Sequence, residues 1–290
     1  MPRTSGVLAC CISAVALLTF SSARTFADDP VIFNSGNPDG LMAAASRPAS
    51  AGKIEIEAAD DFDLTADSQI TGGTFTGILS GADTTNISQV AVEIYRVFPL
   101  DSTDPPSGHA PTRVNSPSDV VFGSRDSAAL ELTFGTSVLS ANFTAANSVL
   151  NGIHPVPNQN TGGEGSASGS EVQFNFTLTT PLNLPANHYF FVPQVALSNT
   201  GNFYWLSAPK PIVSPGTPFP VGASDLQTWI RDGNLSPDWL RVGTDIVGGG
   251  TPPTFNMSFS LNGTVPEPAL LILFPMIGLL GRQPNSRKNI

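Results

Sequence analysis

In the stretch VQFNFTL, residues 172–178, apolar Val172, Phe174, Phe176 and Leu178 alternate strictly with Gln173, Asn175 and Thr177. Residues 255–261, FNMSFSL, repeat the pattern, with Phe255, Met257, Phe259 and Leu261 set against Asn256, Ser258 and Ser260. Successive side chains of an extended chain point to opposite faces, so each stretch reads as a half-buried strand with one apolar face. Helical periodicity is nearly absent from the chain. Further strands are predicted at 53–58, 69–79, 89–98, 129–134, 189–197 and 202–206, and Asn37-Pro38-Asp39-Gly40 and Asp232-Gly233-Asn234 supply turns between runs of this kind. With 27 Gly and 26 Pro to punctuate them, many short strands and no long helix imply an all-β fold, an antiparallel β-sandwich of jelly-roll type.

The expected sandwich domain spans residues 28–263. Residues 99–118 (PLDSTDPPSGHAPTRVNSPS) and 155–170 (PVPNQNTGGEGSASGS) hold too few apolar residues to pack and read as surface loops. If the chain formed two domains, the second loop is where it would divide.

Both ends depart from this pattern. Residues 1–27 combine Arg3, an apolar stretch over 7–20 and a Thr25-Phe26-Ala27 step, the order of a secretory signal peptide cleaved before Asp28. Cys10 lies too early in the apolar run for a lipoprotein acylation site. Cys10 and Cys11 are the only cysteines, so the mature chain is expected to rely on its apolar core, without disulfides. Residues 264–290 contain Val265-Pro266-Glu267-Pro268, a 13-residue apolar run at 269–281 and the basic residues Arg282, Arg287 and Lys288. As a helix that run is about 20 Å long against a hydrocarbon layer of about 30 Å, so insertion as a transmembrane helix needs some bilayer thinning, with the basic residues held at the cytoplasmic face.

The order Val265-Pro266-Glu267-Pro268, apolar segment, basic tail resembles the PEP-CTERM sorting signal of Gram-negative bacteria. The resemblance implies an exosortase-like processing enzyme as partner, membrane contact before processing, and a destination at the cell envelope, cell surface or extracellular space of an exopolysaccharide-producing bacterium. Ala59-Asp60-Asp61-Phe62, Leu184-Pro185-Ala186-Asn187-His188-Tyr189, Phe203-Tyr204-Trp205 and Leu261-Asn262-Gly263 together resemble an exported β-sandwich domain found among PEP-CTERM proteins. That second resemblance implies a fold and a surface location, and it carries no catalytic residues.

Residues 28–265 hold 8 Lys and Arg against 22 Asp and Glu, a net charge of −14. Such a surface repels nucleic acid and anionic lipid, and it suits solubility or association with cations and neutral polysaccharide. His109, His154 and His188 are the candidate bases, but no Gly-x-Ser-x-Gly elbow is present and no two histidines share a helix-facing spacing. The chain therefore reads as a non-enzymatic protein with a structural or exopolysaccharide-associated role.

Two binding readings accompany it. Glu55, Glu57, Asp60, Asp61, Asp63 and Asp67 crowd into 13 residues; Asp60, Asp61 and Asp63 are candidate Ca²⁺ ligands, and the competing reading is a solvated acidic edge that discourages strand-to-strand aggregation. Trp205, Trp229 and Trp239 are candidate sugar-stacking rings of a carbohydrate-binding module, since Trp229 and Trp239 flank a loop-like piece at 230–238. The competing reading places them in the core.

Overall fold

Strands dominate the computed structural model, which describes residues 29–50, 52–102, 109–154, 159–209 and 225–266. In chain order they are β1 (Val31–Asn34), β2 (Met42–Ala45), β3 (Ile56–Leu64), β4 (Ser68–Ser80), β5 (Ile87–Arg96), β6 (Gly123–Asp126), β7 (Leu132–Ala145), β8 (Asn147–Val149), β9 (Ala167–Leu184), β10 (Asn187–Leu197), β11 (Asn202–Ala208), β12 (Trp229–Asp232), β13 (Leu240–Arg241), β14 (Asn256–Met257) and β15 (Phe259–Thr264). They form two sheets. A nine-stranded sheet runs β1-β15-β4-β11-β2-β8, with β9 on the other side of β4, β7 outside β9 and β14 on β11. A six-stranded sheet runs β13-β12-β3-β10-β5-β6.

The long strand β4 organises the larger sheet. One of its edges pairs with β9, and the other pairs first with β15 and then with β11. Glycine makes that shared edge possible: a Cβ at Gly77 would stand 2.2 Å from the Phe203 ring, and one at Gly73 would stand 2.1 Å from the Ser260 carbonyl.

Alternation sends the two faces of β10 to different cores. Phe191 faces the nine-stranded sheet, meeting Phe176 at 5.8 Å, Trp205 at 5.9 Å, Phe259 at 5.0 Å and Phe75 at 6.4 Å between ring centroids. Four strands of one sheet thus pack on one side chain of the other. Phe190 and Val192 face the opposite way, into a second cluster with Ala59, Tyr95, Leu226, Trp229 and Trp239. That cluster explains why β3 and β10 are apolar or fully buried on both faces.

The strands expected at 69–79, 89–98, 189–197 and 202–206 correspond closely to β4, β5, β10 and β11. The one expected at 53–58 is displaced to Ile56–Leu64, because the strand continues through Asp60, Asp61 and Asp63. Residues 230–232, expected in a loop, belong to β12 and pair with β3. Part of the first expected surface loop is also corrected. Arg113, Asn115, Ser116 and Ser118 are buried, with the Arg113 guanidinium over the Phe98 ring at 4.6 Å.

Candidate functional site

Strand β3 lies between β12 and β10 and is an interior strand. Its side chains alternate. Ile56, Ala58 and Phe62 join the core between the sheets, whereas Ala59 joins the cluster on the outer face. Glu57, two residues before Ala59, faces outward with Arg231 of β12 directly across the ladder.

Arg231 grips Glu57 with two nitrogens: Nε donates to Oε2, and Nη2 donates to Oε1 at 3.1 Å. Its plane lies 4.3 Å over the Trp239 ring and 5.3 Å from Tyr95. Tyr95 of β5 completes the group, receiving Arg231 Nη2 at 3.0 Å on its hydroxyl oxygen. The same oxygen stands 2.7 Å from Glu57 Oε1 and 2.9 Å from Glu93 Oε2. A phenol has one proton and cannot donate to both carboxylates. Burial, followed by the charge of Glu57 and a hydrogen bond with it, pushes the Glu93 carboxyl up to about 8, so at neutral pH Glu93 holds a proton and the phenol's own proton is left for Glu57. Burial and the same carboxylates also push the Tyr95 phenol upward, which keeps it a donor.

Glu57, Tyr95 and Arg231 are all buried. The group is one cation, one carboxylate, one carboxylic acid and one phenol, nearly charge-balanced, with Glu93 at its half-buried margin. Its chemistry is that of a fastener, tying β12 and the chain leading to Trp239 onto the face of the sheet.

Asp60 and Asp61, adjacent on β3, turn to opposite faces. Asp60 accepts from the Met257 amide at 2.8 Å and the Thr228 hydroxyl at 3.1 Å. Asp61 accepts from the Leu226 amide at 3.0 Å and lies 2.6 Å from His188 Nε2. Asp63 is exposed. The three cannot converge on one Ca²⁺, and among the described residues no group of three His, Cys, Asp or Glu side chains is placed to hold a metal ion. The solvated acidic edge is overturned as well, since Glu57, Asp60 and Asp61 are buried on an interior strand.

His188 with a buried Asp behind it has the base and orienting acid of a hydrolytic triad. Such chemistry also needs a nucleophilic hydroxyl at the ring, and among the described residues His188 is bonded through its ring to Asp61 alone.

The three tryptophans are each 0% exposed. Trp205 donates to the Ser258 carbonyl at 2.9 Å, Trp239 donates to the Ser118 carbonyl at 3.3 Å, and Trp229 packs in the outer cluster under Arg241. A sugar needs a ring face open to solvent. The stacking role assigned to Trp205, Trp229 and Trp239 is therefore corrected to a core role.

At the other end of the molecule, β15 stops at Thr264 and Val265 is 52% exposed. Pro266 lines a surface groove of about 280 Å³ with Asp67, Ser68, Gln69, Asn183, Leu184 and Pro185. Glu267, Pro268, Arg282, Arg287 and Lys288, the apolar run at 269–281 and the expected signal peptide with Cys10 and Cys11 lie outside the described residues. Among the described residues no helix is long and apolar enough to cross a membrane.

No family model, curated protein or solved structure matches this chain. The reading of its sites therefore rests on its own residues. Glu93, Tyr95 and Arg231 were not singled out from sequence. The signal that could have found them is a charge inside an apolar strand: Glu93 stands in VAVEIY, and with charged residues at 12% of the chain each such case is informative.

Proposed function

We propose that the protein is an exported, non-enzymatic β-sandwich of jelly-roll type, sorted to the cell envelope through the PEP-CTERM-like motif Val265–Pro268, with a structural or exopolysaccharide-associated role at the cell surface or in the matrix. The observation that carries this reading is the position of the motif's first residues. The last strand ends at Thr264, and Val265 and Pro266 are exposed beside it, so a processing enzyme acting there meets chain that the sandwich does not hold. The non-enzymatic part is supported by the use made of the titratable groups. Glu57, Asp60, Asp61 and Arg231 are spent on bonds within the fold.

The test is to express the full chain in an exosortase-containing host, fractionate the cells and locate the C-terminus of the surface or secreted form by mass spectrometry. The proposal expects an end within residues 265–268. An intact Ile290 in the membrane fraction would replace sorting with a tail anchor, and uncleaved protein in the cytoplasm would remove export altogether.

A further inference from the structure

Sheet edges in this molecule are short, with one exception. Among the described residues β1 and β6 have four residues, β8 three and β13 two, whereas β7, which pairs only with β9, has 14. An edge strand presents a row of unpaired N–H and C=O groups to any other strand, and proteins blunt such edges with charge, proline, bulges or brevity. β7, LTFGTSVLSANFTA, has no charged residue and no proline. Its first half, residues 132–138, pairs regularly with β9, and irregularities begin only after Val138. Val138 and Leu139 are 56% and 52% exposed.

We propose that β7 is the docking edge for a second copy of this chain, two β7 strands pairing antiparallel so that two nine-stranded sheets join into one. Charge selects the edge. The chain has a net charge of −10, so most of its surface repels a copy of itself. β7 is neutral, and the neighbouring β9 carries a single charged residue, Glu171.

Sequence selects the partner. Antiparallel pairing about a two-fold axis at Gly135 sets Leu132 against Val138, Thr133 against Ser137 and Phe134 against Thr136, each pair on one face of the joined sheet. Gly135 meets its own copy at the axis, and nothing stands within 4 Å of the place its Cβ would take. The overlap is short: the seven residues 132–138 at about 3.4 Å each and a depth of about 10 Å give roughly 240 Å² per copy. Two copies then bury roughly 480 Å² in all, less than the roughly 1,000 Å² of a stable interface, so the dimer proposed is a weak one that forms as concentration rises.

Sedimentation velocity of the purified full chain over a concentration series tests this, with two double variants at exposed positions. Thr133→Lys with Ser137→Lys puts like charges opposite each other across the axis, and the dimer dissociation constant is expected to rise about tenfold or more. Thr133→Glu with Ser137→Lys puts opposite charges there and is expected to restore the dimer. Hydrogen exchange on the unmodified protein gives a reading free of any folding defect, because amides in 132–138 should gain protection as concentration rises. A monomer at every concentration overturns the proposal. So does a dimer indifferent to both variants, held by another surface such as the segment after Pro268, or exchange in 132–138 that does not depend on concentration.

Discussion

Glu93 keeps a proton because the alternative is a second carboxylate, half-buried, beside Glu57 with one guanidinium to serve both. The sign of the resulting pH dependence follows. Unfolded, the carboxyl titrates near its ordinary 4.5; folded, it titrates near 8. Between those values the folded state binds more protons, so Glu93 lowers stability as pH rises from about 4.5 to about 8, and the loss levels off above that window. Glu93→Gln keeps a donor and removes the titration. Thermal unfolding from pH 5 to 9 should therefore show a gap between variant and parent that widens in favour of the variant as pH rises; a constant gap would mean that Glu93 is ionised throughout. Arg231 is the counterpart. Replacing it with Ala strands Glu57 in the interior without a cation, at an expected cost of about 3–5 kcal/mol by denaturant titration. Replacing Glu57 and Arg231 together with Gln and Met should cost much less than that, because no unpaired charge remains. If the double variant were as unstable as the single, packing of the Arg231 stem on Trp239 would be the dominant contribution.

Strand β10 carries the cleanest consequence of alternation. Phe191 and Phe190 are neighbours in sequence and belong to different cores. Each truncation to Ala should cost about 3–5 kcal/mol, whereas Leu139→Ala on exposed β7 should stay within about 0.5 kcal/mol. Equal, small effects at 190 and 191 would mean that one face of β10 is not buried. The same strands decide what could be read in advance. Residues 172–178 and 255–261 alternate because one face meets the core and the other meets water, and that contrast is visible in composition. β3 and β12 have both faces covered, so their alternation is between two buried environments and the polar residues on them look like loop or edge. That is why Asp60 and Asp61 resembled metal ligands, and why 230–238 resembled a loop between exposed tryptophans. The partners that bury these groups, the Leu226 and Met257 amides and Arg231, are more than 160 residues away from β3. No local pattern could report them.

Closure of the whole sandwich depends on its last strand. β15 lies between β1 and β4, so it joins the first strand of the domain to the longest-shared strand of the larger sheet. Phe259 and Leu261 bring fully buried side chains to the core, and Phe259 stacks on Phe191. Without β15, β1 has no partner among the described residues and half of one edge of β4 is bare. The core is therefore not complete until residue 264 is available. Folding and processing then meet at one point in the sequence, since the motif that would be cut begins at Val265, the residue after the last strand. Two truncations separate the roles. A chain stopped after Pro266 should unfold cooperatively within about 0.5 kcal/mol of the full chain, because every described strand is present. A chain stopped after Met257 lacks β15 and should lose its cooperative transition in circular dichroism. Cooperative unfolding of that shorter chain would make β15 an accessory strand, and the coupling between completion of the fold and presentation of the motif would fail with it.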